Sequence, residues 1–567
     1  MERKYGAAAG RPYDLDRIQG HIPPDAALVS WLDIGIRSDA VDPHSEHWAC
    51  IVRRHGDPTW IKLTGSGPQG QWNDADKRLS AQVVDAFTPR LDDPTTEWRG
   101  RAGRLATQRL APLVPHLGAA GDLPAVRHLI VLTSPALAGV PVEALIEAQP
   151  KDALQYTVSY APSGTMFAWL QERRPKDRGP GSKSPRLLAL GDPICNWPAS
   201  PSAPTPPDHG VLVVQVVPGS NAAHCGLAMG DVLLSYAGAE LAGLDDLTAA
   251  IRKGGGSPAD LARDGAGVPV AVWREGKTFE LTVSPGPLGV QMAQEPAAAA
   301  ILSRRETEAR IARTRGPELQ RLQWSRPEVE AIKPLFADPF VLLGSDATEQ
   351  RLDRLAVDDK LRRFGVLHLS THGKMEPRIA MQSRLYLSRD GLPDAVDRVL
   401  AGQEVYDGEL TAEQILRTWK LDAELVTLSA CQTALGPPGG GEGYLGFSQA
   451  LFLAGARSVV LSLWEVDDRA SALLMVRFYQ NWLGKRPGLD RPMSKAEALR
   501  EAKDWLRGLT VGQADIEARK LPGSEDAAKA QGARRGERPP AGGVMREAQP
   551  FDHPHYWAGF ILIGDPN

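Results

Sequence analysis

Cysteine is scarce in this sequence. The chain of 567 residues has four cysteines, Cys50, Cys195, Cys225 and Cys431, and no two of them form a C-x-x-C pair. Disulfide frameworks and thiolate zinc sites need several cysteines at short spacings. We therefore expect no disulfide framework and no thiolate zinc site, and each cysteine has to be interpreted singly. We also expect no metal and no cofactor.

Long hydrophobic runs are also lacking. No stretch of about 18 uncharged apolar residues occurs, although a membrane-spanning helix needs one of that order. The first residues, MERKYGAAAGRPYDLDR, do not contain the apolar segment of a secretion signal. We expect a soluble, cytoplasmic protein with no membrane partner.

The chain has no excess of positive charge. Lys and Arg number 65 against 69 Asp and Glu, so the net charge is −4. A nucleic-acid backbone is bound mainly through a basic surface field, which this composition does not supply. We expect no nucleic-acid partner. The 42% of hydrophobic and 24% of charged residues are typical of a globular protein.

Helical and strand patterns alternate along most of the chain. Short runs punctuated by Gly, Asp and Pro in residues 27–64 predict an antiparallel edge. Later apolar runs, such as FGVLHLST, AELVTLSA and RSVVLSLW, are of the kind that a parallel sheet buries on both faces. The sequence therefore predicts an α/β fold: a mostly parallel sheet flanked by helices.

Composition divides the chain into segments. A stretch rich in Pro and Ser interrupts the α/β pattern, and a compact β-rich segment follows it. We predict these boundaries: an N-terminal extension at 1–26, the first part of the core at 27–193, a linker at 194–209, a small inserted β-rich domain at 210–292, and the second part of the core at 293–567, with a disordered loop at 508–550.

Two strand ends carry the chemistry. The sequences LHLSTHG at 367–373 and LSACQTA at 428–434 each end an apolar run. Side chains that follow the carboxyl ends of parallel strands converge on one crevice, so we expect His372 and Cys431 to meet. An imidazole beside a thiol makes a cysteine-protease dyad, and the backbone N–H groups of Gly373 and Cys431 are candidates for binding the oxyanion.

Two simpler interpretations compete with the dyad. A lone cysteine is most often a buried small hydrophobe, and a lone histidine is most often a satisfied loop residue. His368 and His372 also share the four-residue spacing of the H-E-x-x-H zinc motif, but Leu369 stands where that motif has Glu and the segment has the pattern of a strand. We favour the dyad and take His368 as a packed neighbour.

Four ordered blocks resemble the CHAT domain, a caspase-like family in the clan of separase and gingipains. The blocks are STHG at 370–373, SACQTA at 429–434, GEGYLGFSQALFLAGARSVVLSLWEVDD at 441–468 and HPHYWAGFILIG at 553–564. The resemblance implies a caspase-like sheet and a cysteine endopeptidase acting on protein or peptide substrates. It assigns His372, Gly373 and Cys431 to catalysis.

The resemblance also suggests a substrate-binding role for nearby acids. Glu442, Asp467 and Asp468 are candidates for an acidic pocket that binds Arg or Lys, as in the Arg-specific members of the clan. Ordinary surface carboxylates are the alternative explanation. Bacterial CHAT proteases often act in defence or programmed-death systems, and the resemblance suggests such a pathway here.

The inserted segment resembles a bacterial PDZ domain, through VVPGSNAAHCGLAMGDVLLSYAG at 216–238, DDLTAAI at 245–251 and VAVWREGKTFELTV at 270–283. PDZ domains bind a peptide C-terminus beside one of their strands and hold its carboxylate in a backbone nest. The stretch that matches this nest, GPLGV at 286–290, lies at the end of the segment, which implies a permuted strand order. The resemblance assigns the nest to Pro287, Leu288, Gly289 and Val290.

The sequence thus favours a cysteine endopeptidase that is regulated, or tethered to its substrate, through a PDZ domain. The alternative is a catalytically inactive caspase-like scaffold that presents the PDZ domain to partners. An intact His and Cys pair favours the enzyme.

Overall fold

The computed structural model describes most of the chain. The described residues are 12–34, 46–87, 97–132, 134–149, 155–173, 185–196, 204–217, 219–254, 267–274, 276–284, 287–302, 319–376, 379–392, 398, 405–430, 446–535 and 548–567. Two compact units make up the chain: residues 1–196 together with 319–567 form a core unit, and residues 197–318 form an insert unit. The predicted boundaries placed the insert, with its linker, at 194–292.

Strands and helices alternate along the described ranges. The strands are β1 (Ala26–Ile34), β2 (Glu46–Val52), β3 (Thr59–Lys62), β4 (His128–Leu132), β5 (Thr157–Ala161), β6 (Leu187–Gly191), β7 (Val211–Val216), β8 (Val232–Tyr236), β9 (Ala239–Glu240), β10 (Val268–Arg274), β11 (Lys277–Val283), β12 (Val290–Met292), β13 (Pro339–Leu343), β14 (Val366–Ser370), β15 (His372–Lys374), β16 (Arg384–Tyr386), β17 (Glu409–Thr411), β18 (Leu425–Ser429), β19 (Ser458–Ser462) and β20 (Phe560–Gly564).

The α-helices are α1 (Leu15–Gly20), α2 (Asp74–Phe87), α3 (Glu97–Arg109), α4 (Val142–Glu147), α5 (Gly164–Glu172), α6 (Asn221–His224), α7 (Leu244–Gly254), α8 (Ser325–Ile332), α9 (Glu349–Val357), α10 (Ala412–Thr418), α11 (Phe447–Ala454), α12 (Asp468–Trp482), α13 (Lys495–Gly508), α14 (Val511–Arg519), α15 (Ser524–Arg535) and α16 (Pro554–Trp557). Within the described residues, no helix is long and apolar enough to cross a membrane.

The core unit is built on an eleven-stranded sheet in the order β13-β6-β14-β18-β19-β20-β5-β4-β1-β2-β3. Seven neighbouring pairs run parallel, and three, β19 with β20, β1 with β2 and β2 with β3, run antiparallel. The predicted mixed α/β fold with a mainly parallel sheet is confirmed. The antiparallel edge predicted for residues 27–64 is also present.

Continuous apolar runs form the middle of this sheet. Every residue of β6, β14, β18, β19 and β20 is buried. Because side chains alternate between the two faces of a strand, a fully buried strand must be covered on both faces. Helices α5 and α13 both pack against β20 and β5. The sheet is therefore an inner layer between helices.

The insert unit has its own six-stranded sheet. Its strand order is β11-β10-β8-β7-β12, and β9 pairs with β8. Buried valines such as Val211, Val213, Val270 and Val272 form a core separate from that of the larger sheet. The β-rich character predicted for this segment is present, and β12 lies at one end of the strand order.

The disordered loop predicted for residues 508–550 is wrong for the part that the structure describes. Helices α14 and α15 occupy most of 511–535, while 536–547 lies outside the described residues. Thr510 and Gln513 form a reciprocal capping box at the start of α14, and Ala514 is buried against the core. Alanine favours helix but adds little apolar signal, which is why the sequence lacks a clear helical pattern here.

The turn after α11 should be intolerant of a side chain. Gly455 has φ +124°, and a Cβ there would lie 2.1 Å from the carbonyl oxygen of Leu421. A non-glycine residue in such a conformation costs about 1–3 kcal/mol before any clash, so Gly455→Ala should lower the free energy of unfolding by more than that. Denaturant unfolding measures the effect.

Gly508 is the matched control, because it ends α13 and a Cβ there would meet no atom within 4 Å. Gly508→Ala should leave the free energy of unfolding within about 1 kcal/mol of the parent or raise it. Equal stability of the two variants would contradict the assigned turn.

Candidate functional site

Two neighbouring parallel strands lead to the predicted site residues His372 and Cys431 in the sequence. Strands β14 and β18 pair residue for residue, ending with Ser370 opposite Ser429. The pairing continues one step further, because the backbone N–H of Thr371 donates to the carbonyl of Ser429 at 3.2 Å. The segments that follow β14 and β18 therefore leave the sheet at the same level, as expected for neighbouring strand ends in a parallel sheet.

The chain from β18 is described up to Ala430. Ala430 is buried, and its carbonyl accepts a hydrogen bond from the hydroxyl of Ser462, at the end of β19. Cys431 and Glu442 lie outside the described residues. The meeting of His372 with Cys431 remains a prediction, as does the role of Glu442.

His372 begins a small side sheet rather than a free loop. Strand β15 pairs antiparallel with β16, with His372 opposite Tyr386 and Gly373 opposite Leu385. The hydroxyl of Thr371 donates a hydrogen bond to the carbonyl of Tyr386 and so fixes the bend between β14 and β15. The backbone around His372 and Gly373 is thereby held by the pairing with β16 and by the side chain of the preceding Thr371.

The ring of His372 contacts a backbone carbonyl. Its Nε2 lies within hydrogen-bonding distance of the carbonyl oxygen of Gln320. A carbonyl can only accept, so Nε2 carries the proton and Nδ1 keeps its lone pair. Burial lowers the pKa of His372, while the Gln320 carbonyl and the carboxylate of Glu465 act in the opposite direction. A neutral imidazole with a basic Nδ1 is the arrangement that a general base requires.

Glu465 is an acidic neighbour of His372 that sequence reasoning missed. It follows β19 by three residues, its side chain is exposed, and it is near enough to His372 and to His555 to raise the pKa of each. The sequence signal was present in the acidic segment WEVDD, but nothing in it separates this carboxylate from Asp467 and Asp468.

Asp467 and Asp468 both accept hydrogen bonds from the backbone. Asp467 is the N-cap of α12 and accepts from the N–H of Ala470 at 2.8 Å. Asp468 accepts from the N–H of Trp324 at 2.8 Å. Burial, together with the nearby carboxylates of Glu328 and Asp467, raises the pKa of Asp468 to about 7. Their predicted role in substrate binding remains a prediction.

His368 belongs to a buried polar network below the site. Its Nε2 lies 3.1 Å from Glu328 of α8, and its Nδ1 lies 3.3 Å from the hydroxyl of Tyr479 of α12. Ser370 donates to the other oxygen of Glu328 at 2.9 Å. His368 thus packs against helices, whereas His372 contacts Gln320, so the two rings do not face a common ligand.

In the insert unit, residues 287–290 form a loop that leads into β12. Gly289 has φ +70°, and a Cβ there would lie 2.3 Å from the Cβ of Ser220. Three carbonyls of the loop accept hydrogen bonds from one segment: Asn221 Nδ2 to Pro287 O (3.2 Å), Ala222 N to Leu288 O (3.0 Å) and Val217 N to Gly289 O (2.9 Å). The glycine is required by both the backbone conformation and the close approach.

Comparison with known proteins gives a family match over most of the chain. The model of the CHAT domain matches residues 99–565. No curated protein matches the chain.

Two solved structures are similar at low identity. The Arg specific cysteine proteinase gingipain R has a TM-score of 0.32 and 7% identity, with 87% of this chain and 74% of that chain covered. Separase of Saccharomyces cerevisiae, solved with securin, has a TM-score of 0.36 and 11% identity, with 86% and 29% covered. The chain thus spans less than a third of the separase chain.

The raised pKa of Asp468 predicts a pH dependence of stability. An acid whose pKa rises from 3.8 to about 7 on folding binds a proton more tightly in the folded state. Its contribution to stability is therefore lost as pH rises from about 4 to about 7. Asp468→Asn, which cannot ionise, should flatten the stability profile in this window, as measured by thermal unfolding at a series of pH values.

The exposed Asp490 offers a control for that profile, because Asp490→Asn removes a carboxylate without touching the core. This variant should retain the slope of the parent. A parallel slope in Asp468→Asn would show that Asp468 is not the titrating group.

Proposed function

The chain belongs to the CHAT domain family, and we propose that it is a caspase-like cysteine endopeptidase in which His372 and Cys431 form the catalytic dyad. The observation that carries this proposal is the register of β14 and β18. The last residues of this register are Ser370 and Ser429, and one residue separates each of them from a dyad residue. Thr371 stands before His372, and Ala430 stands before Cys431.

In the first step, Nδ1 of His372 takes the proton of the Cys431 thiol, and the sulfur attacks the carbonyl carbon of the scissile peptide. An S–C bond forms and the carbonyl oxygen becomes an oxyanion, which the N–H groups of Gly373 and Cys431 would bind. The hydrogen bond from Nε2 to Gln320 supports this role, because it leaves Nδ1 as the basic nitrogen.

In the second step, the imidazolium returns its proton to the leaving amine as the C–N bond breaks, which leaves a thioester on Cys431. Water then attacks the thioester, with His372 taking its proton. The C–S bond breaks, the acid product leaves, and the thiol is restored. Neither step requires a cofactor.

Acidic residues after β19 favour a substrate with a basic side chain. Glu465 is exposed and close to His372. Asp467 and Asp468 already accept backbone hydrogen bonds, so they would bind a cation only with their remaining lone pairs. We therefore propose Glu465, together with the sequence candidate Glu442, as the principal acids of such a pocket.

We further propose that the insert is a PDZ domain that binds a peptide C-terminus. In a trans peptide the N–H and C=O point in opposite directions. Since the carbonyls of residues 287, 288 and 289 all point to the 217–222 segment, the N–H groups of Leu288, Gly289 and Val290 point away from it together. Convergent N–H groups of this kind make an anion nest, and β12 lies at an end of the strand order where a peptide strand could add.

A catalytically inactive scaffold that presents the insert is the competing function. It needs neither an activated thiol nor a basic Nδ1 at His372. A cytoplasmic location and a role in bacterial defence remain proposals that follow from the sequence and the family.

The dyad predicts one reactive cysteine. Cys431→Ala and His372→Ala should each reduce peptide hydrolysis by about 10⁵-fold or more, while thermal unfolding stays close to that of the parent. A thiol-directed acyloxymethyl ketone should label the parent at Cys431, because a thiolate beside an imidazole is the reactive form. Peptide mapping of the labelled protein identifies the position.

The other cysteines provide the controls. Burial raises the pKa of Cys50 to about 11 and that of Cys195 to about 12, so neither should react. Cys225 is partly exposed in the insert, and Cys225→Ala should keep full labelling and activity. An unlabelled parent with no hydrolysis would favour the scaffold.

The loop at 287–290 predicts recognition of a free carboxylate. A C-terminal hexapeptide library should bind the full-length protein, and the amidated library should bind about 10- to 100-fold more weakly, because charge-assisted hydrogen bonds are lost. Gly289→Ala should weaken binding to a similar degree. Gly238→Ala, at φ +79° with nothing within 4 Å, has the same backbone strain without the clash and should bind normally. Equal affinity for free and amidated peptides would contradict the assignment.

A further inference from the structure

The chain leaves the core unit at Asn196 and re-enters it at Leu319, and both residues belong to that unit. Two hydrogen bonds join them. Leu319 N donates to Asn196 Oδ1 at 2.8 Å, and Asn196 Nδ2 donates to Leu319 O at 2.7 Å. We call the departing residues 192–196 and the returning residues 319–326 the junction clamp.

A buried carboxylate forms the second part of the junction clamp. Asp192 is 2% exposed, and both of its oxygens accept from Arg321, at 2.6 Å from Nε and 2.6 Å from Nη2. Arg326 Nε donates to the same carboxylate at 2.8 Å. Burial raises the pKa of Asp192, but the hydrogen bonds from the two arginines outweigh this effect and lower it. The side chain is therefore an anion held by a bidentate pair and a third donor.

The backbone of Asp192 is also constrained. Its φ is +51°, a left-handed conformation that non-glycine residues adopt only when their surroundings fix it. Its N–H donates to Ser325 Oγ at 2.8 Å, and Ser325 Oγ donates to the carbonyl of Ser370 at 2.8 Å. Ser370 ends β14, two residues before His372. The departing chain, the returning chain and β14 are thus connected to one another.

Within the junction clamp, Gln320 lies between two residues that are bonded to the departing chain. Leu319 is fixed through Asn196, and Arg321 is fixed through Asp192, so the peptide units on both sides of Gln320 have little freedom. The carbonyl of Gln320 contacts Nε2 of His372. Further along, Trp324 N is held by the carboxylate of Asp468.

We infer that the junction clamp is the positioning element of His372: Asp192 and Asn196 hold the returning chain so that the Gln320 carbonyl fixes the tautomer and the orientation of the imidazole. Asp192 and Asn196 touch no reacting atom, so they are positioning residues and not catalytic ones. The inference rests on the proposed role of His372 as the base. Its structural part, the tautomer of the ring, holds whatever the chain catalyses.

Weakening the clamp should therefore alter His372 without altering substrate binding. Asp192→Asn removes the charge, and Arg321→Lys removes the bidentate geometry while keeping the charge. We expect kcat to fall about 10- to 100-fold with KM nearly unchanged, because small misplacements of a catalytic group have effects of this size. Arg321→Lys should retain more activity than Asp192→Asn. Asn196→Ala serves as a further variant if Asp192→Asn does not fold.

An ion pair at the other end of β6 provides the control. Arg186 and Asp338 precede β6 and β13 at their amino ends and pair at 2.7 Å, far along the strands from the junction clamp. Asp338→Asn removes a surface carboxylate that pairs with one arginine at the amino end of β6. It should leave kcat, KM and the state of His372 unchanged.

Nitrogen-15 NMR of histidine in the full chain reads the tautomer directly, with His372→Gln assigning the signal. The parent should show the Nε2–H form, and Asp192→Asn should show a mixture with a lower pKa, since the carbonyl that favours the protonated ring is displaced. An unchanged tautomer and kcat in Asp192→Asn, Arg321→Lys and Asn196→Ala would overturn the inference. If the parent hydrolyses nothing but the variants show these NMR changes, the endopeptidase is rejected and the positioning role of the clamp is retained.

Discussion

The parallel pairing of β14 with β18 is the constraint on which the rest of the site depends. The two strands are buried throughout, and their register runs without interruption from Val366 opposite Leu425 to Ser370 opposite Ser429. A slip of one residue would turn each following side chain to the other face of the sheet. Burial on both faces prevents such a slip, because every apolar side chain would lose its partner. The side sheet begins from this fixed edge, and Ser325 of the returning chain donates a hydrogen bond to the carbonyl of Ser370 at the same edge.

A network of buried polar side chains fixes the helices that pack against this edge of the sheet. Burying Glu328 and His368 would be unfavourable without partners, but Ser370 donates a hydrogen bond to Glu328, the hydroxyl of Tyr479 bonds to His368, and the two side chains lie 3.1 Å apart. Tyr479 in turn lies 2.8 Å from the hydroxyl of Thr427 in β18. Helices α8 and α12 are thereby fixed to β14 and β18 by directional bonds as well as by apolar packing. Apolar contacts alone would tolerate small sliding movements of the helices, whereas this network does not.

Sequence patterns predict the sheet and the position of His372 because both depend on local signals: continuous apolar runs and a polar residue directly after one. They do not predict Gln320, since a backbone carbonyl leaves no trace in a residue type and the contact spans 52 positions. Asp192 has the pattern of an ordinary strand-end residue. Asp467 is a predicted binding residue, although an Asp before a helical pattern is also the signature of an N-cap. Helices α14 and α15 escape prediction because alanine and charge, not apolar periodicity, dominate their sequences.

The point in the chain at which the insert occurs fits the same geometry. A long insertion is tolerated where the two ends of the chain lie close together, because the surrounding fold then need not change. Asn196 and Leu319 meet this condition through two direct hydrogen bonds. Most such insertions occur at exposed turns, far from any chemistry. Here the returning end contacts the imidazole one residue after re-entering the core, so a displacement of that end acts directly on the hydrogen bond to His372. The close approach of Asn196 and Leu319 therefore has two consequences. It lets the fold accept the insert, and it makes the hydrogen bond to His372 depend on the junction.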